Sequence, residues 1–149
     1  MVTMVGKQES FGEAMVSLLE LEYDALEAYE AAIARIGDTI FKQSLTEFMT
    51  DHRRHISELT HLLTEHGYQD LPTGPSGGKQ WLTKGKVVIA GLIGDNTILL
   101  AMHSNEEDTN TAYERMVNRT DAWSETKTIL TQALADERKH KAWLEQAQR

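Results

Sequence analysis

Cysteine is absent from the chain, which excludes disulfides, thiolate metal sites and cysteine nucleophiles. Proline is nearly absent: Pro72 and Pro75 are the only two, and both fall in the stretch 67–85 with Gly67, Gly74, Gly77, Gly78 and Gly85. No other region is rich in residues that break regular structure. Long apolar runs are missing as well. The longest, Val87 to Ile93, is far too short to span a bilayer, so no membrane partner is expected. Met1 to Ser10 lacks the basic-then-apolar order of a secretory signal, and a cytoplasmic location is the expectation. Positive charge is in deficit. A net charge of −8 argues against general affinity for nucleic acid phosphates. It suits attraction of cations, although solubility alone accounts for most acidic surfaces.

What remains reads as helix. At 149 residues the chain has the usual size of one domain, 1–149, and can bury about two-thirds of its unfolded surface. Apolar periodicity and stop signals predict four helices. The first runs from about Ser10 to Arg35 and stops at Gly37; the second starts after Asp38 as N-cap and runs to His66, stopped by Gly67. The third is secure after Asp95, with Lys86 to Leu92 as its first turns or a separate short helix; the fourth starts after Asp121 as N-cap and runs almost to the end. Short links make two antiparallel hairpins, about 10–66 and 86–148. The crossover, 67–85, is long enough at about 3.3 Å per residue to travel the length of a bundle. An all-α, ferritin-like four-helix bundle is the expected fold.

The two hairpins resemble each other. Glu22-Tyr23-Asp24 aligns with Glu106-Glu107-Asp108, and Ala28-Tyr29-Glu30 with Ala112-Tyr113-Glu114, at an offset of 84 residues. Asp51-His52-Arg53-Arg54-His55 aligns with Asp136-Glu137-Arg138-Lys139-His140 at an offset of 85. Several matches in one order at nearly constant spacing indicate an internal repeat.

Each helix carries ionisable groups within its apolar stripe. Residues three or four apart share a helix face. Glu22 lies among Leu18, Leu26, Tyr29 and Ile33, and Glu106 among Leu99, Met102, Tyr113 and Val117. His52 and His55 lie among Leu45, Phe48, Leu59 and Leu62; Glu137 and His140 among Leu130, Leu134 and Leu144. A bare buried carboxylate is costly, and two shared divalent cations would remove that cost. Imidazole with carboxylate suits iron, manganese or zinc. Taken singly, a Glu-x-x-His on a helix is usually a solvated face, and a core Tyr is usually packing. Both hairpins in register favour the metal reading.

With these residues in view, the sequence resembles the rubrerythrin-type members of the ferritin-like superfamily. Their first-helix Glu followed seven residues later by Tyr is matched by Glu22/Tyr29 and Glu106/Tyr113, and their Asp-Glu-x-x-His motif by Asp136 to His140. The resemblance implies a dinuclear non-haem centre of two iron ions, or manganese or zinc, working on peroxide or oxygen or handling iron. Glu22 and Glu106 would be single-carboxylate ligands, Glu137 and His140 paired ligands, and His55 the ligand from the second helix. Asp51 and Asp136 would each take a proton from a ligand imidazole on the facing helix, which fixes its tautomer. Tyr29 and Tyr113 would hydrogen-bond or tune the ligands. The sequence departs from the family at His52, which stands where the second-helix motif has Glu. Three carboxylates against two divalent ions leave a net charge of +1, and His52 cannot bridge two metals as a carboxylate can.

Two other readings stay open: a metal-free bundle with a structural or interaction role, such as a homodimer, and a single zinc or iron ion held by His52, His55 and a nearby Glu. Of the remaining candidates, His61 with Glu65 has a hemerythrin-like spacing without the companion histidines, and His103 reads as a polar residue at the bundle edge. Trp81, Trp123 and Trp143 read as packing or interface residues, and Lys79, Lys84 and Lys86 as a solvated basic patch.

Overall fold

Ser10 opens the first helix: its hydroxyl accepts a hydrogen bond from the Glu13 N–H, one of the donors that a helix start leaves unpaired. Asp38 does the same for the second, accepting from the N–H groups of Ile40 and Phe41. In this computed structural model, which describes residues 2–74, 89 and 91–148, the long helices are α1 (Phe11–Arg35), α2 (Thr39–Glu65), α3 (Asp95–Val117) and α4 (Thr126–Ala147). No strand occurs among the described residues. Around the bundle, α1 packs on α2 and α3, and α4 packs on α3 and α2. Of the crossover, 67–74 is described; Trp81, Lys79, Lys84, Lys86 and the turns expected over 86–88 lie outside the described residues.

One expected boundary is corrected. Asp121 does not cap α4, which begins five residues later at Thr126. The Asp121 carboxylate is engaged elsewhere, by both Nε (2.8 Å) and Nη2 (2.7 Å) of Arg119. A two-pronged guanidinium–carboxylate pair outweighs a single capping bond. Arg119 also donates to the carbonyls of Gly6, Gln8 and Glu9, and Arg115 to those of Thr3 and Val5. Together they clasp the segment before α1 against the end of α3. The other end of that helix pair is tied by Asp95, whose carboxylate accepts from the N–H groups of Gly37 (2.8 Å) and Asp38 (2.9 Å).

Apolar side chains form two separate clusters along the bundle. One gathers Met15, Leu18, Leu19, Leu59, Leu63, Tyr113, Met116 and Leu130. The other gathers Tyr29, Ala32, Leu45, Phe48, Leu99, Met102 and Leu144. Trp143 packs edge-on to Phe41 and Phe48, while Trp123 stacks on His66 with ring centroids 3.6 Å apart and meets Phe11 edge-on. Burial of this kind, at about 25 cal/mol per Å² of apolar surface, supplies the main drive to fold. Between the clusters lies a belt of buried polar groups.

Gly12 is required by a close approach. A Cβ there would stand 1.6 Å from Tyr68 Oη and 2.4 Å from its Cζ. Alanine would gain up to about 1 kcal/mol in helix propensity, whereas forced overpacking costs roughly 1–3 kcal/mol. Gly12→Ala should therefore lower the Tm in thermal denaturation; an unchanged or raised Tm would show that Tyr68 yields freely.

Candidate metal centre

The belt contains Glu22 from α1, His52 and His55 from α2, Glu106 from α3, and Glu137 and His140 from α4. His55 is 2% exposed and the other five 0%. The i, i+3 spacings place His52 over His55 and Glu137 over His140 on inward faces. All six residues expected from sequence therefore meet inside the bundle. His61 does not join them; its side chain is 72% exposed and pairs with Glu65. His103 stays at the edge, in contact with Glu107 and Glu145.

The donors form two overlapping groups: Glu22, His52, His55 and Glu137; and His52, Glu106, Glu137 and His140. Within each, one ligand atom per residue lies within 4.8 Å of all the others. His52 and Glu137, equivalent positions of the repeat, belong to both.

The surrounding hydrogen bonds cross between the halves. Tyr29 Oη donates to Glu106 Oε1 (2.5 Å), and Tyr113 Oη donates to Glu22 Oε2 (2.6 Å). His140 Nε2 lies 2.8 Å from Asp51 Oδ2, and His55 Nε2 lies 2.9 Å from Asp136 Oδ2. An Nε2–H donated to aspartate leaves Nδ1 of each ring facing the centre. Asp136 is held in turn by Arg54 and by Gln132. Asp51 and Asp136 thus each lie against an imidazole of the facing helix.

Two residues absent from the expected set complete the belt. The Thr109 hydroxyl lies 3.0 Å from Glu106 Oε2 and 2.9 Å from Glu137 Oε2. Asn110 Nδ2 donates to the backbone carbonyls of Glu106 (2.7 Å) and Glu137 (3.0 Å), tying α3 to α4 beside the ligands. The signal was in the repeat: Thr109 and Asn110 stand where the first half has Ala25 and Leu26. Polar residues replacing apolar ones on an inward face need partners inside.

The donor set fits a cation. Glu137 Oε1 and His140 Nδ1 are buried without a hydrogen-bond partner. Glu137 Oε1 stands 3.2 Å from His55 Nδ1, and His140 Nδ1 stands 3.3 Å from Glu106 Oε1, within ion-pair range but without hydrogen-bond geometry. Atoms of this kind, aimed at a common interior point, can be satisfied by a shared ion.

Without an ion, the groups titrate against one another. Burial raises the Glu22 carboxyl, but His52 and His55 outweigh it and hold it at about 2. Burial likewise raises Glu106, and its contacts with Glu137, His140 and His52 reverse this and hold it well below the usual range. Glu137 moves up, through burial and then the Glu106 charge. Burial lowers the imidazoles, yet Glu22 and Glu137 lift His55 to about 10, and Glu106 and Glu137 lift His140 to about 9. His52 is also raised well above its ordinary value, by Glu137 and Glu22 against the effect of burial. Burial and then Glu106 raise Tyr29, while burial and then Glu22 raise Tyr113, so both stay protonated as donors. Beside the belt, burial, Glu27 and Asp108 push Asp24 up to about 7.

The sign of the pH dependence follows. Imidazoles whose folded pKa exceeds 6.5 add stability that is complete below 6.5 and lost as pH rises toward 9 and 10. Asp24 costs stability as pH rises from 3.8 to about 7 and nothing further beyond. The Tm of chelator-treated protein should therefore keep falling between pH 7 and 10, and His140→Gln should flatten that slope. A level Tm over this range would refute the protonated-imidazole description.

Residues 11–119 match a family model described as Domain of unknown function (DUF2383). The matched span holds Glu22, Tyr29, Asp51, His52, His55, Glu106 and Tyr113, and stops short of Asp136, Glu137 and His140. No curated protein and no solved structure matches the chain. With well over half of its length inside the model, the chain belongs to the DUF2383 family.

Proposed function

We propose that this chain is a rubrerythrin-type, ferritin-like bundle that binds two divalent metal ions, iron by preference with manganese or zinc as alternatives. Its role is peroxide or oxygen redox chemistry, or iron handling. The observation that carries the reading is the pair of overlapping buried donor groups sharing His52 and Glu137. One lone site would not explain four helices each delivering ligands to the same depth.

Glu22 and His55 would hold one ion, Glu106 and His140 the other, with Glu137 and His52 between them. Iron held in this way supplies electrons and polarises a bound oxidant. The chain's part is geometric and electrostatic. Asp51 and Asp136 aim the Nδ1 atoms of His140 and His55 inward. Tyr29 and Tyr113 each direct a hydroxyl proton at one carboxylate oxygen and so hold that carboxylate in place. The two apolar clusters above and below keep bulk water from the centre.

One observation favours a second reading, a metal-free structural bundle: three imidazoles and three carboxylates can balance as internal ion pairs. Metal analysis separates the two. Protein produced in iron- and manganese-supplemented medium should carry about two equivalents of metal. Asp51→Ala should weaken metal affinity by about 10–100-fold, and Glu137→Ala by more, because both groups lose a donor. Absence of metal, together with a Glu137→Ala variant as stable as the parent, would establish the structural role.

A further inference from the structure

The geometry points to His52 as a bridge between two metal ions, bound through both ring nitrogens as an imidazolate. The inference rests on the dinuclear reading above and assigns the donor position at which one half has histidine and the other glutamate.

His52 is unlike the other two imidazoles. His55 and His140 each commit Nε2 to an aspartate and so have one nitrogen left for the centre. No aspartate lies against either nitrogen of His52. Its Nδ1 stands 2.5 Å from Glu22 Oε1 and 3.5 Å from Glu137 Oε1. Its Nε2, on the opposite edge of the ring, stands 3.1 Å from Glu106 Oε1. One nitrogen thus faces Glu22 and Glu137, and the other faces Glu106. The ring is fully buried, with Tyr29 at 4.9 Å, His140 at 5.2 Å and His55 at 5.7 Å between centroids.

Charge points the same way. Two divalent ions bring +4 and Glu22, Glu106 and Glu137 bring −3, which leaves +1 in a buried site if His52 is neutral. An imidazolate brings the total to zero, the state that a low-dielectric interior favours. In the step that forms the bridge, the Nδ1–H and Nε2–H bonds of the imidazolium break, both protons leave to solvent, and two nitrogen–metal bonds replace them. No electron is transferred. A neutral histidine could not bridge as a carboxylate does, because it has one free lone pair. The imidazolate has two, but at another spacing: oxygen-bridged pairs sit about 3.5–4 Å apart, whereas metals on opposite edges of an imidazole must lie further apart.

The test uses the full chain, stripped with chelator and titrated with cobalt(II), followed by X-ray absorption and magnetic susceptibility. The parent should take about two cobalt ions, show no metal–metal vector in the range of about 3.5–4 Å, and show antiferromagnetic coupling. His52→Gln, checked for helicity by circular dichroism, should lose the coupling. His52→Glu should bring the metal–metal vector into that short range. A short vector in the parent, two uncoupled ions, or coupling retained in His52→Gln would overturn the bridge while leaving the dinuclear reading intact. A single bound ion would overturn the bridge and the dinuclear reading together, and no bound cobalt would return the chain to the structural reading. The parent measurement decides even if a variant fails to fold.

Discussion

Six ionisable side chains buried at one depth of a helical bundle are the constraint to which the rest of this structure answers. Each would cost several kcal/mol to bury alone, and together they outweigh what a small domain has in net stability. They are tolerable only as a set. Opposite charges must alternate in space, each outward-facing nitrogen must have an acceptor, and each carboxylate must have a donor. The tyrosines, the aspartates, Thr109 and Asn110 supply those partners. The apolar clusters on either side then close the belt off from water.

The set has near-twofold order because similar segments occur twice along the chain. Tyr29 serves Glu106 while Tyr113 serves Glu22; Asp51 serves His140 while Asp136 serves His55. Each of these four bonds joins one half to the other, beside contacts made within a half such as His55 with Glu22. The order breaks in two places. His52 stands opposite Glu137, and the polar pair Thr109–Asn110 replaces Ala25 and Leu26. Both changes lie within the belt. They make its two ends chemically unequal, with the extra hydrogen bonds gathered on Glu106 and Glu137.

Ties outside the belt hold the helices in register. Asp95 pins the α1–α2 turn to the start of α3 through two backbone N–H groups, and Arg115 with Arg119 clasps the opposite end. A slip of one residue along any helix would turn its donors by about 100° away from the centre. The rigid ends therefore serve the interior geometry as much as stability.

Much of this was legible in the residues alone. Spacing of three and four within apolar stripes assigned Glu22, His52, His55, Glu106, Glu137 and His140 to inward faces, because helical periodicity is a local property. The repeat brought the two halves into correspondence, and the breaker-rich stretch separated them. Tertiary structure decided what depends on residues far apart in the chain. Asp121 looked like a cap, but Arg119 claims its carboxylate, and α4 starts at Thr126 instead. Thr109 and Asn110 carried no motif, and their role exists only where α3 meets α4. The direction of each nitrogen of His52 was likewise beyond any pattern. Sequence spacing states which face a side chain is on, but rotamer and neighbours set where each atom points.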